Sequence, residues 1–421
     1  MPRPQVQITA VEGTLGGTLS TADGVCLYVH NAPPAYTYTS TPGASVGVTS
    51  AVFTSLEGAE LAGITEANDL TNTYLLWEHL KDFFTLVPFG EIHVLQLPVA
   101  TTCQNLFTVG NTACTALQGY LGSKQGRCKA LGVGIVGVSE THTTSISADV
   151  LAAIPLAQAF SKAEYTRLRP IEVVFEGRKL SGTAAAATDL RALNSGNVSV
   201  VVSRNQTRSV ALVTAGIASA ANYAQIGLFL GSFASVHVGR NVGRLATGTL
   251  PVQQAAFSGG QLLYTGFIDG DLNILSDKGY IFMDAYVGRN GFCWVDDHTC
   301  TLPNRTDAYI ALNRVAHKAA RIAVQTYLDR LKDEFKLDKA TGRLPAITVQ
   351  TLQNELRLAI EREMLTNPDP SRAVEISGAT VRIDPNQNVA ASSKLVARLS
   401  IVPLGTTRII ETEILLVGSS S

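Results

Sequence analysis

Two stretches near the C-terminus alternate apolar and polar side chains with the period of a β-strand. Lys394 to Val402 sets Leu395, Ala397, Leu399 and Ile401 on one face and Lys394, Arg398 and Ser400 on the other. Pro403-Leu404-Gly405 makes a turn, and Ile409 to Val417 alternates again, with Glu411 and Glu413 on the polar side. A strand at a chain terminus carries an edge of unpaired N–H and C=O groups. If the home sheet does not take it, a neighbouring molecule can, by strand addition. The pattern points to a protein that assembles.

The same reading divides the rest of the chain. Gln5 to Val11 is a short strand, followed by a Gly/Thr-rich stretch, so residues 1–20 form an arm. Residues 21–90 mix short strands with one helix, Leu75 to Phe84. From residue 91 strands and helices alternate: strand Ile92–Leu97, helix Ala113–Gly122, strand Ala130–Val138, helix Ala148–Thr166, strand Ile171–Phe175, helix Ala184–Leu193, strand Asn197–Val202 and a small-residue helix over Ala218–Phe233. That order predicts an α/β domain with a largely parallel sheet over 91–275. Residues 276–402 form a separate core: a β-rich segment at 277–296, amphipathic helices over Asp307–Phe335 and Val349–Leu365, and strands Val374–Ile383 and Lys394–Val402. Residues 403–421 are a C-terminal strand arm. The expected class is mixed α/β, with sheets flanked by helices and extended arms at both ends.

Composition sharpens this picture. Of 421 residues 46% are apolar, yet only 16% are charged, where a soluble domain carries about 25%. A chain so poor in charge fits a large interior, an extracellular setting, or a surface covered by copies of itself. The net charge of −1, with basic residues scattered, argues against nucleic acid as a direct partner. The six cysteines lack a framework spacing and are expected to be free, partly buried thiols. The N-terminus has no apolar core of a signal peptide. Ser209 to Val238 lacks Asp, Glu, Lys and Arg, but its Asn222, Gln225, His237 and many Ser and Gly favour a helix packed inside protein over a membrane span.

Candidate chemistry is thin. Gly132-Val133-Gly134-Ile135-Val136-Gly137 matches GxGxxG, but the glycines lie within a strand and no helix start follows, so a dinucleotide site is disfavoured. Asp296-Asp297-His298 between Cys293 and Cys300 lacks zinc spacing and reads as polar caps before a helix; Asp269-Gly270-Asp271 reads as a turn. No hydrolase elbow, phosphate-binding loop or HExxH occurs. No catalytic, cofactor or metal residue is assigned. The row Arg314, Lys318 and Arg321 is a solvated helix face or a docking face for an acidic partner.

The C-terminal half resembles the tail sheath proteins of contractile phage tails and related contractile injection machines. The resemblance lies in Leu212-Val213-Thr214-Ala215-Gly216-Ile217-Ala218; in Asp277-Lys278-Gly279-Tyr280-Ile281-Phe282 with Asp284 and Gly288, where Met283-Asp284-Ala285 replaces the usual Trp-Gly-Ala; in Asp307-Ala308-Tyr309-Ile310 leading to Arg314; and in Gly378 to Asp384 followed by the terminal strands. It covers about residues 210–421.

The resemblance implies a non-enzymatic subunit that polymerises helically, as stacked hexameric rings, around an inner tube and contracts to drive that tube through an envelope. In such sheaths both arms add strands to a neighbour's sheet; here those are Gln5, Val6 and Ile8, and Ile409, Ile410, Thr412, Ile414 and Leu416. A helix near the C-terminus faces the tube, the candidates being Glu355, Arg357, Glu361 and Arg362, with Arg314, Lys318 and Arg321 second. Implied partners are further copies, the tube protein, and baseplate and terminator proteins, with assembly in the bacterial cytoplasm and no stable membrane insertion. The alternatives are a non-contractile tube, capsid or fibre protein and, behind those, a nucleotide-binding α/β enzyme.

Overall fold

The strands read from residue 91 onward share one sheet with two strands from the 21–90 stretch, which the sequence reading sets apart. In the computed structural model, which describes residues 23–32, 49–137, 145–328, 330, 334–339, 341–366, 374–392 and 394–408, its strands are β1 (Cys26–Ala32), β2 (Thr49–Phe53), β3 (Ile92–Pro98), β4 (Ala130–Gly134), β5 (Glu172–Glu176) and β6 (Val198–Val201). They lie in the order β2-β3-β1-β4-β5-β6, parallel throughout except for β2 against β3. Every residue of β1, β4, β5 and β6 is buried, as expected where helices cover both faces. Helices α1 (Leu56–Leu61), α2 (Glu66–Asn72) and α3 (Leu76–Leu86) occupy the stretch where the sequence showed one helix. The two extra helices are short and held by side-chain caps from Ser55 and Thr65. Helices α4 (Cys103–Phe107) and α5 (Thr112–Ser123) connect β3 to β4, and α6 (Ala148–Thr166) connects β4 to β5.

Downstream lie β7 (Ser203–Asn205), α7 (Gln206–Thr214), α8 (Ile226–Ser235), β8 (Ala255–Phe257), α9 (Asp269–Asp277), β9 (Met283–Asp284) and β10 (Cys293–Trp294). The helix expected over Ala184–Leu193 is only a 3₁₀ turn at Leu190–Leu193. There Lys278 Nζ takes the carbonyls of Ala184, Ala185 and Ala187 at 3.0, 2.6 and 2.6 Å, which removes the acceptors an α-helix would use. The helix expected from Ala218 begins only at Ile226, after Gly216 at φ 111° and a 3₁₀ turn. Asp269-Gly270-Asp271, read as a turn, opens α9 instead. Among the described residues no helix is long and apolar enough to cross a membrane. All six cysteines are buried free thiols.

Glycines explain two sequence features. On α8, a Cβ at Gly227 would strike the backbone of His79, and one at Gly231 would lie 3.0 Å from Phe83 O; their absence lets α8 rest directly on α3. In β4, a Cβ at Gly132 would come within 2.6 Å of Leu230 Cδ1, and one at Gly134 would collide with the Tyr28 hydroxyl. The GxGxxG run is therefore a packing device. Beyond the end of β4 the Asn31 side chain accepts from Val136 N (2.9 Å) and donates to Val99 O (2.8 Å).

A second, smaller core gathers Val315, Ala319 and Ile322 of α10 (Ile310–Leu328), Leu356 and Ile360 of α11 (Ala346–Ile360), and Ile376 and Val381 of β11 (Ile376–Ile383). A π-helical turn, Glu361–Leu365, extends α11, and β12 (Ala397–Pro403) closes the unit. The seam falls near residue 310, not at 276. Tyr280, Ile281, Phe282 and Trp294 belong to the larger core, because Ile281 continues the sheet edge: it donates to Val200 O at 3.0 Å and accepts from Val202 N at 2.9 Å.

Candidate assembly interface

β11 and β12 pair antiparallel from Ile383↔Ala397 to Ile376↔Pro403. Ile376 and Val381 are buried, and Leu399 and Ile401 pack against the same core. The opposite face, with Arg398, Ser400 and Val402, is exposed, so the alternation read from the sequence describes the real faces. Among the described residues no third strand joins this pair. Among the described residues both lateral edges lack a partner strand. A two-stranded ribbon is marginal on its own; here α10 and α11 beneath it supply the burial.

The expected arm residues Gln5, Val6, Ile8, Ile409, Ile410, Thr412, Ile414 and Leu416 lie outside the described residues. What the structure does show is how the last described residue, Arg408, is held. Arg408 Nε donates to Asp296 Oδ2 at 2.6 Å and Nη2 to Asp297 Oδ1 at 3.5 Å, with the guanidinium 3.5 Å above the Tyr309 ring. Asp297 also accepts from Ala311 N at 2.7 Å, capping α10, and from Asn241 Nδ2 at 2.8 Å. The two adjacent carboxyls split. Burial would raise Asp296, but Arg408 brings it down to about 2, whereas burial and the Asp296 charge hold Asp297 well above the usual range. Sequence reasoning found the Asp296-Asp297-His298 cap. It could not find Arg408, because nothing local signals a contact across that separation.

The row Arg314, Lys318 and Arg321 is a correction. All three lie on α10, but the row points inward. Lys318 Nζ bridges Asp23 (2.9 Å) and Glu375 (2.7 Å), and Arg321 pairs with Asp23 at 2.7 Å. Arg314, only 4% exposed, lies 3.9 Å over Phe233 and donates to Val236 O at 3.0 Å, just past the C-terminal end of α8, where a cation is favoured. Burial lowers Arg314 to about 10; burial would raise Asp23, but Lys318, Arg321 and Arg314 bring it below its ordinary value. A cationic row at i, i+4, i+7 looks the same from sequence whether it faces water or a neighbouring segment.

The second row stays at the surface. Arg357 pairs with Glu361 at 2.8 Å, Arg330 with Glu355 at 2.5 Å, and Arg362 with Glu363 at 3.1 Å. The outward stripe of α11 runs through Ile347, Thr351, Asn354, Leu358 and Arg362, with Ile347 75% and Leu358 55% exposed. A groove of about 570 Å³ opens on the other side of this unit, between α10 (Leu312, Ala319, Val324), the segment after α6 (Leu168) and β12 (Leu399, Ile401). Among the described residues no group of acidic, His and Cys side chains is arranged to hold a metal.

Residues 3–298 match the family described as DUF2586, N-terminal domain, and residues 308–419 that described as DUF2586, C-terminal domain. No curated protein matches the chain by sequence. The fold is similar to a chain of the anti-feeding prophage (AFP) baseplate, with TM-score 0.60, 13% identity and coverage of 99% of each chain. It is also similar to the AFP helical sheath in the contracted state (0.57, 13%, 97% of this chain and 99% of that one). A third likeness is to the PVC sheath complex of an extracellular contractile injection system, also contracted (0.53, 12%, 99% and 98%). The fold is thus similar to those of chains from contractile sheath and baseplate assemblies.

Proposed function

The chain belongs to the DUF2586 family, and from its sheath-type fold we propose that it is a non-enzymatic structural subunit of a contractile injection sheath, polymerising helically around an inner tube. The observation that carries this reading is the open ribbon. Among the described residues β11–β12 has no partner strand on either edge, and Arg408, directly before the alternating residues 409–417, is held on Asp296. A strand from a neighbour's C-terminus and one from another's N-terminus would complete the ribbon with main-chain hydrogen bonds, each side chain alternating between core and solvent.

Such links persist while subunits rotate, so extended and contracted lattices differ in their body-to-body and tube contacts. The outward stripe of α11, with Arg357, Glu361 and Arg362 beside it, is the surface assigned to the tube. Exposed ion pairs contribute only about 0–1 kcal/mol each, yet repetition along a cylinder multiplies them and lets them release together. Further partners are baseplate and terminator proteins, with assembly in the bacterial cytoplasm before release of the particle. Truncation after Arg408, which keeps its contact with Asp296, tests the reading. Loss of sedimentable polymer with an unchanged melting curve supports it, and polymers of normal yield overturn it.

A further inference from the structure

We propose that the carboxyl ends of β1, β4 and β5 form a binding site for one water molecule, which joins the His79 ring of α3 to the Tyr28 hydroxyl of β1. The site stands apart from the assembly reading and does not depend on it.

Topology gives the place. From β1 the sheet runs to β3 on one side and to β4, β5 and β6 on the other. In doubly wound sheets that reversal of direction opens a crevice at the carboxyl ends, and ligands bind there. A cavity lies at this point, lined by Tyr28 and His30 of β1, Gly134 at the end of β4, Glu176 at the end of β5, and His79. Its volume is about 10 Å³, which admits one water and nothing larger. The position is that of a nucleotide crevice; the size is that of a solvent molecule.

The walls supply the partners. His79 is only 2% exposed, and its Nδ1 has no hydrogen-bond partner. Its ring centroid lies 5.2 Å from that of Tyr28 and 6.0 Å from that of Tyr223, so aromatic packing holds it in place. Burial, with Arg178 and His30 nearby, lowers His79 to about 3. The ring is therefore neutral, with one N–H and one bare nitrogen. Burial holds the Tyr28 phenol well above its ordinary value, so it keeps a proton to donate. That hydroxyl stands where a Gly134 Cβ would be, between two residues of the cavity wall. Water both donates and accepts, so it serves the His79 ring in either tautomer. A cation is disfavoured because the Arg178 side chain lines the same space.

A crystal structure of the full chain, at a resolution that shows ordered water, tests this. One water-sized peak is expected within hydrogen-bonding distance of both the His79 ring and the Tyr28 hydroxyl. A double-variant cycle of Tyr28→Phe and His79→Phe adds a second readout, since both changes keep the rings. Each single variant should melt about 2 °C or more below the parent, and the pair little lower than either, because both lose the same water. A dry cavity predicts the opposite sign for His79→Phe, which would then remove a buried nitrogen that has no partner. A cavity without density, density larger than one water, a His79→Phe chain that melts higher, or strictly additive losses each overturn the proposal. Where a variant does not fold, the density decides.

Discussion

Arg408 and Asp296 stand 112 positions apart in sequence and meet through Nε and Oδ2 at 2.6 Å. The contact ties the root of the C-terminal stretch to the larger body, while β12, a few residues earlier, belongs to the smaller one. It therefore bridges the two units at the last described residue. Arg408→Ala is expected to reduce polymer yield at least tenfold while costing the isolated chain only about 1–2 kcal/mol, the scale of a part-exposed ion pair with a cation–π contact. Sedimentation and urea unfolding read the two effects separately.

Arg314 separates an internal cation from a docking one. Its guanidinium holds Val236 O and covers Phe233, so Arg314→Ala should destabilise the isolated chain by about 3 kcal/mol. The same change at Arg362, exposed on α11, should leave unfolding within about 0.5 kcal/mol of the parent. Equal stability in both variants would contradict the inward orientation of the α10 row.

Glycine substitutions should split by sign. Gly227→Ala pushes a methyl into the His79 backbone and is expected to cost about 1–3 kcal/mol. Gly119 lies within α5 with nothing within 4 Å of an added Cβ, so Gly119→Ala should stabilise by about 0.5–1 kcal/mol. Denaturant midpoints measure both.

The seam between the units should respond to pH through Glu172. Burial, opposed by hydrogen bonds from Asn313 and Asn197, pushes its carboxyl up to about 8. The unfolded chain releases that proton near pH ~4.3, so the associated stability is complete below that value and is lost as pH rises through 8. His317, 3.1 Å from Glu172 Oε1, is pushed down by burial to about 3. Its contribution is present above about pH 6.5 and is lost as pH falls toward 3, so the two windows overlap below about 6.5 and Glu172 is read separately above it. Between about pH 6.5 and 9 the unfolding free energy of Glu172→Gln should therefore rise relative to the parent. A constant difference would contradict the raised Glu172.

What the sequence disclosed follows from how local each signal is. The parallel sheet, α5, α6 and the faces of β12 are written in period and run length, and they stand nearly where the pattern placed them. The missing helix at 184–193 depended on a distant lysine, Lys278, and the short capped α1 and α2 carry no full apolar stripe. The inward turn of Arg314, Lys318 and Arg321 depended on Asp23 and Glu375, hundreds and tens of residues away. Ile281 joined the larger core because a sheet edge recruited it, which no periodicity announces. The ribbon's alternation was legible; its anchor at Arg408 was not.

The most direct measurement is a cryo-EM reconstruction of the assembled polymer at a resolution that traces the terminal strands. The account predicts residues 409–417 as an added strand on the β11–β12 ribbon of an adjacent subunit, departing from Arg408 at Asp296. Density placing those residues wholly on their own body, with every neighbouring ribbon still two-stranded, would contradict it.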